Sequence, residues 1–216
     1  MRGGRAALLS VLLTLGLASG AAGQGRASAF DFYVLSLSWS PSFCLTEAGR
    51  GERLQCGTGP RRGFVVHGLW PQYERGWPQY CASAEPAEVP RSIVEAMFDI
   101  MPSRGLVQHQ WEKPGACAGL DQASYFATVR RAAERVAVPQ PLEVVEARLY
   151  ASARDLEQAF IAANPGLSAS GIAVACGDGR LEEIRICMTR QLDFRRCAEV
   201  DRRGCSDRRL AVPGHR

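Results

Sequence analysis

The chain is 216 residues long and has one lysine, Lys113, against 25 arginines. It has three histidines, His67, His109 and His215, and the last lies beside the C-terminus. So little imidazole argues against a Cys/His zinc cluster. No pair of cysteines has the C-x-x-C spacing of a zinc ribbon or a thiol redox motif. The longest apolar stretch, residues 6–17, falls well short of the roughly 20 residues that span a bilayer. No internal repeat or linker is present. Formal net charge is +4. Two of those charges, Arg2 and Arg5, sit in a leader-like segment, and without them the chain is at about +2, too near neutral for a polybasic binder. Hydrophobic residues make up 46% and charged residues 22%, a globular balance that excludes general disorder.

Eight cysteines are present: Cys44, Cys56, Cys81, Cys117, Cys176, Cys187, Cys197 and Cys205. An even, scattered set reads as four disulfides formed in an oxidising compartment. The N-terminus agrees with that reading. Arg2 and Arg5 precede the apolar stretch, and small residues at 18–23 follow it, the pattern of a removable signal peptide over residues 1–23. The expectation is a secreted or periplasmic protein with one domain over residues 24–216.

Residues 29–39 alternate and are β-rich, which predicts a strand. Residues 49–63 are Gly/Arg-rich and turn-like. Residues 63–67 read as a short buried strand ending at His67, and residues 71–90 as a surface loop. Ile93, Val94, Met97, Phe98 and Met101 have helical spacing, predicting a helix over about 90–100 closed by Pro102. A second helix over 105–113 is stopped by Pro114-Gly115, and a third covers 121–138. Ser152 and Asp155 have capping-box spacing and open a fourth, which ends at Asn164-Pro165-Gly166. Residues 171–176 and 181–188 read as a strand pair across Gly177-Asp178-Gly179. The tail from Gln191 reads as an arginine-rich loop. Grouped helices and strands favour an α+β fold, a mainly antiparallel sheet packed with several helices.

Two histidines carry candidate chemistry. His67 closes an apolar strand and is followed by Gly68, which permits close approach of backbone or ligand. His109 lies in HQWEKPGAC. Trp70 and Trp111 follow the two histidines by three and two residues. An imidazole beside an aromatic plane suits a nucleotide, one group for the proton and one for the base. Lys113 adds a compact cation where the composition otherwise prefers arginine. The plain alternative is two core or surface histidines and a lysine placed by chance.

The segments FVVHGLWPQY and HQWEKPGAC resemble the two signatures of the ribonuclease T2 family, HGLWP and HEWxKHGTC. DFYVLSLSWSPSFC resembles the family's first strand and IAVACGDGRLEEIRICM its later sheet. The resemblance covers about residues 30–205 and implies cleavage of single-stranded RNA without a metal or other cofactor. The 2′-hydroxyl attacks the adjacent phosphorus and leaves a 2′,3′-cyclic phosphate. DNA lacks that nucleophile. By position, His67 resembles the catalytic histidine of the first segment, and His109 the phosphate-binding histidine. Lys113 resembles the lysine that stabilises the transition state, and Trp70 a base-stacking residue. Gln72 and Trp111 join Trp70 as candidate substrate-binding residues. The implied disulfides are Cys44–Cys56, Cys81–Cys117, Cys176–Cys205 and Cys187–Cys197; sequence alone does not choose among the possible pairings. The implied partner is RNA, with no membrane and no second copy.

Two positions depart from the pattern. Gln110 stands at the family's glutamate and can hydrogen-bond a phosphate oxygen but cannot hold a proton or charge. Pro114 stands at the second catalytic histidine and can do no proton chemistry. On a helix Glu112 falls about 130° from the centre of the arc holding His109, Gln110 and Lys113, so it points away. A positioned acid or base is worth about 10²–10⁴ in rate, so slow cleavage is expected, with His109 the stronger candidate to take over a proton-transfer role. The alternatives are a non-catalytic RNA- or protein-binding relative, or an exported protein with no nucleic-acid role. Arginines 195, 196, 202, 203, 208, 209 and 216 in the tail read as a mixed solvated surface or as a phosphate-attracting rim.

Overall fold

The computed structural model describes residues 27–215. The expected signal peptide lies outside the described residues. Six strands form one sheet: β1 (Phe32–Trp39), β2 (Phe64–Gln72), β3 (Leu149–Ala151), β4 (Ile172–Gly177), β5 (Arg180–Met188) and β6 (Leu210–Val212). β1 is central, antiparallel to β2 on one side and to β5 on the other; β4 pairs antiparallel with β5, and β3 with β6. A single parallel bridge, Arg180 to Ala211, joins β6 to the sheet. The architecture is α+β, as its antiparallel pairs and separate helices require.

β1 alternates because its two faces meet different surroundings. Tyr33, Leu35, Leu37 and Trp39 enter the main core, while Phe32 and Val34 join a smaller cluster with Cys187 and Cys197 on the opposite face. The main core is closed by α1 (Arg91–Ala96), α2 (Arg104–Glu112), α3 (Gln122–Glu134) and α4 (Ala153–Ala163). Three of these helices start on side-chain caps, of which the sequence spacing suggests the one on α4. Ser103 caps α2, Asp121 caps α3, and Ser152 with Asp155 forms a capping box on α4. α2 stops at Pro114, and Gly115 lets the following turn pass close to Tyr125. A Cβ at position 115 would lie 2.7 Å from that ring. The Tyr125 hydroxyl in turn donates to Leu69 O at 2.9 Å, fixing α3 against β2.

Several boundaries differ from the sequence reading. β2 does not end at His67 but runs on to Gln72, because His67 occupies a bulge. Ser36 pairs with Gly68 and Leu37 with Val66, leaving His67 the extra residue. The Gly/Arg-rich segment folds into the helical turns Glu47–Gly51 and Arg53–Cys56, clamped by the Cys44–Cys56 disulfide. The tail is not all loop; it contains α5 (Ala198–Arg202) and β6. Both are too short for periodicity to show, and α5 depends on the Cys187–Cys197 and Cys176–Cys205 bridges around it. Cys81–Cys117 is the fourth disulfide.

Candidate active site

The bulge decides what faces the cleft. His67 and Trp70 are three residues apart and would lie on opposite faces of a regular strand. The extra residue shifts the alternation. Val66 and Leu69 point into the main core, and Trp70 packs with the smaller cluster on the other face. Across the sheet, Ser36 and Ser38 of β1 stand opposite Arg185 and Glu183 of β5. These small central residues let long side chains from β2 and β5 meet above β1.

Four side chains close a ring there. His67 Nδ1 contacts Glu183 Oε1. Arg185 donates Nε and Nη2 to Glu183 Oε2 at 2.9 and 2.8 Å. The Arg185 guanidinium sits 5.6 Å from the Trp70 ring centre, and the His67 ring stands edge-to-face on Trp70 at 5.2 Å. Burial alone would push the Glu183 carboxyl up. The His67 hydrogen bond and charge, with Arg185, outweigh it and hold the group down to about 2. Glu183 therefore stays ionised well below the ordinary carboxylate range.

A cleft of about 440 Å³ opens over this face. His67, Trp70 and Arg185 line one side, and His109, Gln110 and Lys113 of the α2 end line the other. His109 projects from α2 and is exposed, whereas Gln110 is buried. The indole N–H of Trp70 donates to Gln110 Oε1 at 2.9 Å, which leaves the Gln110 amide N–H groups for a ligand. Gly68 makes this contact possible, since a Cβ there would collide with both Gln110 Oε1 and Trp70 Nε1. A smaller hollow of about 260 Å³ lies on the far side of His67, which borders both spaces with Glu183, Ser38 and Val65 behind it. Imidazoles, an ammonium, an amide donor and an indole around one groove can handle a proton, a phosphate and a base.

The sequence profile of the Ribonuclease T2 family matches residues 30–197. The chain belongs to that family. It is 39% identical over 118 residues to a ribonuclease of Aeromonas hydrophila, covering 55% of this chain and 52% of that protein. It is 38% identical over 117 residues to a probable ribonuclease of Haemophilus influenzae, covering 49% and 43%. The match thus spans about half the length of these curated relatives. Among solved structures, RNase NT in complex with 5′-AMP superposes with a TM-score of 0.66 at 22% identity, covering 86% of this chain and 98% of that one.

Against the T2 pattern, the structure brings His67, Trp70, Gln72, His109, Gln110 and Lys113 to one cleft. It does not bring Trp111. That side chain is 1% exposed, donates its N–H to Pro86 O at 3.1 Å and stacks near Tyr125 in the core. On α2 it lies about 100° from Gln110, toward the body of the protein, so proximity in sequence to His109 misleads. Gln72 lines the cleft with its amide donating to Pro71 O. Pro114 is buried in the cleft wall where T2 enzymes carry a histidine. Glu112 is exposed and accepts from Gln108 at 2.7 Å, outside the cleft.

Four contributors escape sequence reasoning. Glu183 and Arg185 sit in an ordinary alternating strand, and only the register with β1 puts them beside His67. Trp77 is 48% exposed at the cleft rim with the Arg203 guanidinium 5.2 Å from its ring centre. Glu199 ties the two together, accepting from Gly76 N at 2.9 Å and pairing with Arg203 at 2.6 Å. Of the tail arginines, Arg203 joins the cleft lining, whereas Arg195 pairs with Glu74 and Arg209 stacks on Tyr150.

Proposed function

We propose that this T2-family chain is an exported endoribonuclease that cleaves single-stranded RNA by transphosphorylation, leaving 2′,3′-cyclic phosphate ends, with turnover reduced by Pro114 and Gln110. The observation that supports it best is the shared cleft of His67, His109 and Lys113 over the Trp70 ring. In this reading residues 1–23 are a signal peptide, residues 24–216 act as one monomeric domain, and the protein works in the periplasm or outside the cell. The strand lies along the cleft with the scissile phosphate between His67 and α2.

His109 is the imidazole available to take the 2′-hydroxyl proton, since Pro114 cannot. The 2′-oxygen then bonds to phosphorus, the bond to the 5′-oxygen breaks, and His67 Nε2–H protonates the leaving oxygen. Lys113 and the free Gln110 amide donate to the non-bridging oxygens as charge builds on them. Gln110 supplies a neutral donor where a charged network is usual, so the stabilisation is smaller. Trp70, with Gln72 beside it, receives a base.

Purified residues 24–216 incubated with single-stranded RNA, with and without EDTA, test the reading. Cyclic-phosphate ends that form in both samples support it, and no product over long incubation overturns it. The second reading, a non-catalytic RNA- or protein-binding relative, draws on the buried Pro114. In that case RNA binding at low salt persists without cleavage.

A further inference from the structure

One buried anion behind His67, bordering the smaller hollow, has no part in the chemistry so far. Glu183 has only 12% of its side chain exposed, and an ionised carboxylate in that setting is costly unless it is paired and hydrogen-bonded. Arg185 alone satisfies that requirement, with two donors on Oε2. The second oxygen, Oε1, is spent on His67 Nδ1 instead. The bulge, which delivers His67 and Trp70 to one face, and the small Ser36 and Ser38 on β1 are the backbone conditions for that contact.

We propose that Glu183 is a positioning residue. It holds His67 through Nδ1 and reserves Nε2 for substrate, so that Nε2–H faces the leaving 5′-oxygen that it protonates. The role rests on the endoribonuclease reading for its chemical step, but the tautomer and charge of His67 do not. A carboxylate on Nδ1–H fixes which ring nitrogen carries the proton in the neutral form and stabilises the imidazolium. Arg185 keeps the carboxylate from swinging toward the cleft, where it would repel phosphate. The Arg185–Trp70–His67 contacts close the arrangement, so the imidazole cannot rotate without displacing the base platform.

Other charged groups face His67 from every side. Arg180, Glu182 and Glu52 border the smaller hollow, and His109 and Lys113 stand across the cleft. Among the described residues, Glu183 is the only one of the carboxylates in contact with the ring. With Pro114 in place of the family's second histidine, this chain has fewer groups to share proton transfer, which raises the demand on His67.

The test uses the mature chain, its Glu183→Gln variant and its Glu183→Asp variant. Nitrogen-15 shifts of the His67 ring across pH read tautomer and titration without any need for cleavage. In the unmodified protein the neutral ring should carry its proton on Nδ1. In Glu183→Gln the midpoint should fall by about one pH unit or more, with Glu183→Asp restoring part of it. Cleavage of a dinucleotide should then lose at least about tenfold in kcat with KM within twofold, and the alkaline limb of kcat should move to lower pH by the same interval. A proton on Nε2 in the unmodified protein overturns the proposal, and that measurement needs no variant to fold. So does an unchanged midpoint in folded Glu183→Gln, which leaves Glu183 a structural anion. If the tautomer and midpoint behave as stated but no chain cleaves RNA, the endoribonuclease reading fails and the positioning of His67 stands.

Discussion

The two walls of the cleft are built differently. The sheet wall holds His67 and Trp70 on β2 and Glu183 and Arg185 on β5, meeting across β1, each side chain touching the next, with the Cys187–Cys197 disulfide and Phe32 beneath. The α2 wall is the end of a helix. There His109 is exposed, Lys113 is the C-cap, and Pro114 starts a 3-10 turn. The departures from the T2 pattern, Gln110 and Pro114, both fall on the helical wall. A residue at a helix end can be exchanged with local cost, whereas each member of the ring on the sheet is fixed by two neighbours. The sheet wall keeps the T2 pattern, and under the proposed function the helical wall is where activity is reduced.

His67→Ala breaks the comparison at its strongest point. It should cost about 10²–10⁴ in cleavage rate with the fold retained by circular dichroism, and an effect under tenfold would shift the chemistry to α2. Restoring the other wall with Gln110→Glu and Pro114→His should raise the yield of cyclic-phosphate product by about 10–10³-fold. Glutamate can still accept the Trp70 indole N–H, so the link between the walls survives. No gain would mean that the sheet wall has also drifted from catalysis. Trp111→Ala separates packing from recognition on α2. Denaturant unfolding should show a loss of about 3–5 kcal/mol, with the dissociation constant for RNA unchanged in protein that remains folded.

Acid probes the sheet wall when the parent chain is compared with Glu183→Gln. The Glu183 carboxyl is lowered from 4.5 to about 2 on folding, so its contribution is fully present above pH 4.5 and disappears as pH falls through 2. Unfolding free energy measured at pH 5 and at pH 2 should drop by about 3 kcal/mol more in the parent chain than in Glu183→Gln. The smallest expected effect is at the rim. Arg203→Ala should weaken RNA binding modestly and reduce the slope of log affinity against log salt by about 0.7. An unchanged slope would place Arg203 as a clamp for Trp77 and not as a phosphate contact.

Much of the site was legible because catalysis needs rare residue types in short segments. His67, Trp70, His109 and Lys113 stand out in sequence and share one cleft. The α+β class and the longer helices were legible from periodicity, and the cap of α4 from the spacing of Ser152 and Asp155. What stayed hidden depends on pairing between distant segments. Glu183 is 116 positions from His67, and nothing in LEEIRICM marks one glutamate over its neighbour Glu182. The bulge at His67 leaves no signal, since Gly68 fits a strand end equally well. Trp111 failed for the converse reason, because adjacency in sequence to His109 is not a shared direction on a helix. Arg203 and Trp77 are joined by a tail helix too short to read and held by disulfides that the spacing does not order.

The four cross-links set when the protein becomes complete. Cys81–Cys117 fastens the segment that follows Trp77 to the turn behind Lys113, and Cys187–Cys197 draws the tail across the cleft floor. Both bridges tie together segments that line the groove, Gln79 with Lys113 near the first and Arg185 with Glu199 near the second. A chain held among thiols would lack these ties and have an open, unassembled groove, so oxidation acts as the final step of assembly. In the exported reading proposed above, a nuclease finished only by oxidation is harmless to the RNA of the cell that makes it.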